Sequence, residues 1–325
     1  MAEKIDIKNY QLTLSQNSEF DIPENVLQEW QSILNLLARI EKAKVALIMR
    51  ISGDDLEVFM SSETPNSPYQ IGHKERYIDS GLYCERVLKQ RKMLLVPDAS
   101  KSIEWRNNPD MKYNMKCYLG FPIKLPDGGY FGTICVLDNK HNDFSQDMKD
   151  CMEKMRNLIE TNLSLIYLSI TDQLTGLYNR TYFNNKIEIE SKISKQINQP
   201  ITAMMLDIDH FKKINDTRGH LVGDTVLMGF AKVMVDSLRN QDITFRLGGD
   251  EFFVLMPDTS LGAALMVANR LRASIENSKI VPDLPITTSI GVAEHFSNES
   301  LNCWYIRLDH ALYKAKKRLG NQVAK

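Results

Sequence analysis

Ile243-Thr-Phe-Arg-Leu-Gly-Gly-Asp-Glu-Phe-Phe-Val-Leu-Met256 contains two apolar runs, Ile243 to Leu247 and Phe252 to Met256. They are joined by Gly248-Gly249-Asp250-Glu251. Aromatic and β-branched residues on either side of a glycine pair read as a two-stranded hairpin. Working outward, Ile201 to Leu206 reads as a strand and Leu221 to Leu238 as a helix. On the other side come a helix from Leu261 to Ile275, a strand from Ile286 to Ala293 and a last helix from Trp304 to Leu319. The order β-α-β-β-α-β is the ferredoxin-like pattern, in which the first and third strands are antiparallel neighbours at the sheet centre. The end of strand one then lies beside the start of strand three, which brings Asp207 to the Gly248–Glu251 turn despite the long stretch of chain between them.

That placement gathers Asp207 with Asp250 or Glu251 at one sheet edge. Hard carboxylate oxygens suit Mg²⁺, which takes one or two carboxylates together with water and substrate phosphates. The glycines allow a tight turn and, lacking Cβ atoms, a close approach of a nucleotide to the backbone. Lys212 and Arg246 lie near enough in sequence to supply phosphate charge. Two metal ions on such a site would activate a hydroxyl and stabilise a departing pyrophosphate. Taken alone, the tetrapeptide is equally compatible with an ordinary hairpin carrying solvated acids.

Further strings decide between these readings. Arg246-Leu-Gly-Gly-Asp-Glu-Phe252 is joined by Asp172-Gln-Leu-Thr-Gly-Leu-Tyr-Asn-Arg180 and by Asp207-Ile-Asp-His-Phe-Lys-Lys-Ile-Asn-Asp216, the latter followed by Gly219-His220 and Gly223-Asp224. Ser289-Ile-Gly-Val-Ala293 and Ala311-Leu-Tyr-Lys-Ala-Lys316 complete the set. In this order they resemble the GGDEF family of diguanylate cyclases over about residues 170–325. The resemblance implies condensation of two GTP into cyclic di-GMP. It implies that Asp207, the Ile208 carbonyl, Asp250 and Glu251 hold Mg²⁺ or Mn²⁺, two ions per active site. Asp250 would be the base toward the attacking 3′-hydroxyl, assisted by Glu251. Asn215 and Asp224 would read the guanine edge, Lys212, Arg246 and Lys316 would meet phosphates, and Gly248 and Gly249 would line the nucleotide. Arg239-Asn-Gln-Asp242 matches the family's inhibitory motif, implying that product binds back through Arg239 and Asp242; the other reading is a helix-end surface ion pair. One position departs from the family. Its usual Gly-Arg-Asn reads Leu319-Gly320-Asn321 here, with Arg318 or Lys317 as substitutes for the arginine. The departure keeps an alternative open, a catalytically weak module that binds GTP or cyclic di-GMP and signals by contact.

Upstream, Glu24 to Ile40 carries apolar residues at helical spacing. Val45 to Ile51 and Leu56 to Met60 flank Gly53-Asp54-Asp55, Tyr83 to Leu88 is a short helix, and Lys92 to Val96 is a strand. Cys117 to Lys124 and Tyr130 to Leu137 are strands around Pro126-Asp127-Gly128-Gly129. Together they make an α+β module of an antiparallel sheet with flanking helices. Val96-Pro-Asp-Ala99, Tyr118-Leu-Gly-Phe-Pro-Ile123 and Gly132-Thr-Ile-Cys-Val-Leu-Asp138 resemble a GAF domain. That family binds cyclic nucleotides, tetrapyrroles, haem or small metabolites, or nothing, so a small-molecule ligand is expected without a name. Trp105 and Tyr118 read as core or pocket wall, and Cys84 and Cys117 have no chromophore context.

Ser145 is a plausible N-cap for an unbroken helix to about Ser169, with apolar residues at alternating three- and four-residue spacing from Met148 to Ile166. This fits a two-stranded coiled coil with Asn162 on its seam, and hence a homodimer; the bland alternative is an amphipathic helix packed on its own domain. The expected organisation is an arm at 1–20, a GAF-like domain at 21–143, a helical linker at 144–171 and the GGDEF domain at 172–325.

Composition limits the partners. The 325 residues carry a net charge of −1, so no global field recruits nucleic acid or anionic membrane. No apolar run is long enough to span a bilayer, and the charged start, Met-Ala-Glu-Lys-Ile-Asp, is no signal peptide. Five dispersed cysteines without CxxC spacing suggest reduced thiols and a cytoplasmic protein.

Overall fold

The structure, a computed structural model, describes residues 22–317 and 320–325. The expected N-terminal arm, Arg318 and Leu319 lie outside the described residues. The chain divides between Tyr167 and Leu168 into two compact units.

In the first unit, α1 (Glu24–Glu41) precedes β1 (Val45–Ser52), β2 (Asp55–Ser61), β3 (Lys74–Arg76), α2 (Tyr83–Gln90), β4 (Leu94–Val96), β5 (Cys117–Lys124) and β6 (Tyr130–Asp138). The strands form one sheet in the order β3-β2-β1-β6-β5-β4, every pairing antiparallel. Alternation along β1 and β2 sends Val45, Leu47, Met49, Leu56 and Val58 to one face, where they pack with Tyr83, Val87 and Tyr118. On the other face Trp30 of α1 stands edge-on to Phe59 and Phe131, at 6.5 and 5.9 Å between ring centroids. Trp30 and Phe131 are fully buried, and each such side chain contributes about 1.5–3 kcal/mol.

Helix α3 (Gln146–Ile170) starts as the sequence indicated, with the Ser145 hydroxyl accepting from the Met148 amide at 3.1 Å. Its buried residues within the first unit are Met148, Met152, Ile159, Leu163 and Ile166. Asn162 does not lie open on a seam: its Oδ1 accepts from Trp30 Nε1 at 3.2 Å. The apolar spacing read as a coiled-coil stripe therefore partly serves packing within the domain. Leu158, Leu165 and Leu168 remain exposed, at 37%, 60% and 53%.

The second unit contains α4 (Arg180–Ile197), β7 (Ile201–Ile208), α5 (Phe211–Arg218), α6 (His220–Ser237), β8 (Ile243–Gly248), β9 (Glu251–Pro257), α7 (Leu261–Asn277), β10 (Thr288–Glu294), α8 (Leu301–Lys317) and β11 (Val323–Ala324). Its sheet runs β11-β10-β7-β9-β8. Strand β7 is antiparallel to both β9 and β10, as the ferredoxin-like pattern requires. Every residue of β7 is buried, which fits a central strand covered on both faces. Met204, Leu206, Phe252 and Val254 join Phe230 of α6 and Leu271 of α7 in one core. Phe183 of α4 packs on Phe245 and Phe253 on the other face.

Candidate active site

The register of the central strands builds the site. Asp207 is the Cα partner of Glu251 on one side and of Ser289 on the other. Gly248 pairs with Glu251, so Gly249-Asp250 is the hairpin turn, with Gly249 at φ +53°. That conformation costs glycine little and other residues more. No protein atom comes within 4 Å of where a Cβ of Gly248 or Gly249 would sit, so the turn faces open space.

Asp207 is 8% exposed, and its Oδ2 pairs with Lys316 Nζ at 2.7 Å. Burial pushes its carboxyl up to about 6, and the charges of Asp250 and Asp209 push the same way, while the hydrogen bond from Lys316 pulls it down. Negative groups crowded at a buried strand end call for a cation. No group of three or more His, Cys, Asp or Glu side chains suited to a metal occurs among the described residues. A magnesium site does not need one, because one or two carboxylates and the substrate's own phosphates suffice. The hard oxygens of Asp207 and Asp250 fit such an ion.

Arg246 is placed differently from the phosphate contact expected of it. Its Nη1 donates to Asp172 Oδ1 at 2.9 Å, while Nε and Nη2 both donate to the Gly249 carbonyl, at 3.0 and 2.9 Å. The guanidinium fork thus holds the turn to the start of the domain. Against partial burial, which raises it, hydrogen bonds from Thr175 and Arg246 hold the Asp172 carboxyl below the usual range. Asn179 fixes the same segment: it caps α4 by accepting from the Tyr182 amide at 3.0 Å and donates to the Ser169 carbonyl at 2.8 Å.

Lys212 is exposed on α5, and Asn215 follows one turn later. The Asn215 Oδ1 is buried and has no hydrogen-bond partner. A buried acceptor left open is costly unless a donor arrives from elsewhere. Gly223 lies against it, with Asp224 half-buried at the next position of α6.

Asp209, which the sequence reading did not single out, is the best-anchored acid here. It accepts from Thr287 Oγ1 at 2.8 Å, Ser289 Oγ at 2.6 Å and the Asn321 amide at 2.7 Å. It thereby ties the segment after α8 to the end of β7. Gly320, at φ +73°, belongs to that segment, and a Cβ there would stand 2.9 Å from the Asp209 carboxylate. An arginine at this position requires either the Asp209 carboxylate or the segment to shift.

At the distant Arg239–Asp242 turn the two named residues differ in kind. Arg239 is exposed, whereas Asp242 is 2% exposed and its Oδ2 accepts from the Arg239 amide at 2.9 Å. Burial raises the Asp242 carboxyl, with Arg239 and Arg270 opposing. One oxygen of the Asp242 carboxylate holds the turn that presents Arg239, while its buried Oδ1 has no hydrogen-bond partner. Arg270, whose guanidinium donates to the Ser237 carbonyl at 2.9 Å, is a second cation here that the string alone did not reveal.

Residues 169–322 match the family described as "Diguanylate cyclase, GGDEF domain", and residues 25–163 match the GAF domain. The response regulator PleD of Caulobacter vibrioides is 39% identical over 175 residues, 52% of this chain and 38% of that protein. The diguanylate cyclase DgcM of Escherichia coli is 40% identical over 211 residues, 63% of this chain and 50% of the other. Diguanylate cyclase A of Treponema denticola is 34% identical over 194 residues, 57% and 52% of the two chains. This chain thus spans about half or less of these curated relatives' length. Among solved structures, the coiled coil and GGDEF domain of DgcB from Caulobacter crescentus, in complex with c-di-GMP, aligns with a TM-score of 0.50. The two are 28% identical, over 55% of this chain and 95% of that one.

Proposed function

Residues 169–322 belong to the GGDEF family and residues 25–163 to the GAF family, and on that premise we propose that the chain condenses two GTP into cyclic di-GMP and two pyrophosphates. The observation that carries the reading is the register that sets Asp207 opposite Glu251 beside the Gly249-Asp250 turn.

In this reading Asp207, the Ile208 carbonyl, Asp250 and Glu251 would hold two Mg²⁺ or Mn²⁺ ions. When bound, the metal neutralises phosphate charge and lowers the pKa of the attacking hydroxyl. Asp250 takes the proton of the 3′-hydroxyl. The 3′-oxygen bonds to the α-phosphorus of the second GTP, the bond from that phosphorus to the bridging oxygen breaks, and pyrophosphate leaves. The same exchange in the other direction closes the ring. Asn215 Oδ1 and Asp224 accept from the guanine amino and ring NH groups, a pattern that adenine does not match. Lys212 draws on the phosphates, and Lys316, which here pairs with Asp207, would join it where Asp207 serves as a metal ligand. Arg246 keeps the turn in position. Each protomer carries one GTP, so two chains must face each other.

The direct test incubates pure protein with GTP and Mg²⁺ and follows cyclic di-GMP. Asp250→Ala should lower turnover by about three orders of magnitude, since it removes a base and a metal ligand together; near-normal turnover refutes the assignment. Gly320 favours a second reading, a module that binds GTP or cyclic di-GMP and signals by contact, and wild-type protein that binds GTP without making product would establish it. Product inhibition is proposed to act through Arg239 and Asp242. Arg239→Ala should keep its initial rate while late-stage inhibition is relieved, and equal inhibition of both proteins argues against this site.

A further inference from the structure

The acids at the end of β7 meet a single lysine. Asp207, 8% exposed, pairs through Oδ2 with Lys316 Nζ at 2.7 Å. Among the described residues no other ion pair reaches Asp207, Asp209, Asp250 or Glu251. Asp209 and Asp250 nevertheless stand near enough for their charges to act on Asp207. Asp209 is served by neutral donors, the hydroxyls of Thr287 and Ser289 and the Asn321 amide. Arg246 is engaged by Asp172 and the Gly249 carbonyl. The other lysines on the last turn of α8 are placed elsewhere. Lys314 donates to the Lys325 carbonyl at 3.3 Å, and Lys317 lies 4.6 Å from the centre of the Tyr313 ring. Lys317 in this arrangement does not replace the arginine that the family carries at Gly320.

Lys316 therefore serves two partners that exclude each other. Its ammonium covers a carboxylate oxygen that a metal ligand has to offer. Two cations on one buried carboxylate repel, and the low dielectric of a strand end strengthens the repulsion. A divalent ion that takes Asp207 by itself displaces Lys316 and gives it no anion in return. A triphosphate supplies that anion, and the Lys316 side chain, 44% exposed, is free to reach it.

We infer that Lys316 couples metal and nucleotide binding: it holds Asp207 against a metal ion that arrives alone and yields it to one that arrives with phosphates. The inference rests on the metal site proposed above. It adds that one side chain has opposite effects on the two ligands.

The experiment counts bound Mn²⁺ by electron paramagnetic resonance on the full chain at pH 8, so that Asp207 is ionised. It is run with and without a GTP analogue carrying a methylene between its α- and β-phosphorus atoms. Lys316→Met keeps the alkyl stem and removes the charge. Without nucleotide it should bind Mn²⁺ about tenfold more tightly than wild type. At saturating Mn²⁺ it should bind the analogue about tenfold more weakly, read by calorimetry. Lys316→Gln, which keeps a donor for Asp207, should move both affinities in the same directions by less. A lysine that only contacts phosphate alters the second affinity alone, and one that only supports the fold lowers both. Asp207→Asn, which still accepts from Lys316, is the reference. If it binds Mn²⁺ in the presence of the analogue as wild type does, the metal site is refuted and the inference with it. If Mn²⁺ binding depends on Asp207 but neither Lys316 variant binds nucleotide-free Mn²⁺ more tightly, the coupling is overturned while the metal site stands.

Discussion

At Gly223 a methyl group would stand 1.9 Å from Oδ1 of Asn215. The proposed reader of the guanine edge therefore owes its position to a missing side chain on the next helix. Gly223→Ala should leave the fold intact but displace Asn215, weakening GTP about tenfold or more; calorimetry with a non-hydrolysable GTP analogue would measure it, and unchanged affinity argues against the Asn215 role. Asp110, 7% exposed on the 3-10 turn Pro109–Tyr113 of the first unit, makes a separate residue-scale test. Burial pushes its carboxyl up to about 6, above the ordinary range for an aspartate, with the Tyr69 hydrogen bond opposing. The folded state therefore binds this proton more tightly than the unfolded state. Its contribution is full below about pH 4 and is lost as pH rises through about 6. Two pKa units correspond to roughly 3 kcal/mol. Asp110→Asn, which keeps an acceptor for Tyr69, should gain stability over wild type by up to that order between pH 4 and 7, and the gain should then level off. Thermal unfolding across that range checks it; a difference independent of pH means the carboxyl titrates normally.

Among the elements, α3 carries the largest change from expectation. Its heptad spacing was read as a seam between two chains with Asn162 inside it, and Trp30 takes that side chain instead. What is left exposed is Leu158 and, seven residues on, Leu165, with Leu168 nearby. The proposed dimer then uses this second stripe. Leu158→Glu with Leu165→Glu removes about 1.5–3 kcal/mol of burial per leucine and should weaken the dimer at least ~100-fold, with turnover falling alongside. Sedimentation at several concentrations decides it; an unaltered dimer places the interface elsewhere. The same helix shows where sequence stops being informative. Periodicity identifies an apolar stripe but not what covers it. The β8–β9 hairpin was legible because two glycines between apolar runs leave few alternatives. The edge strands β3 and β11 were not, since their residues are ordered by neighbours rather than by pattern. Helix α4 went unread because Tyr182, Phe183 and Ile187 are a thin apolar set among lysines, glutamates and asparagines. In the site, Asp207 and its hairpin followed from topology. The partner of Arg246 did not, because Asp172 lies 74 residues away and no local rule pairs them.

For the whole molecule, the fold separates what holds the second domain together from what keeps its reactive turn in place. The core of that domain is assembled from β7 to β10 and the helices that cover them. The turn is moored to a carboxylate that precedes the first of those helices. A fragment beginning at Leu177 retains every strand of the sheet and the Asn179 cap of α4, yet lacks Asp172. Arg246 in such a fragment would keep the Gly249 carbonyl and lose its anchor. If the proposed activity needs that anchor, the shortest piece that folds and the shortest piece that works would be different lengths of chain. A truncation chosen for good expression and a sharp melting transition can be structurally sound and still make a poor catalyst, for want of one residue that no stability assay would miss.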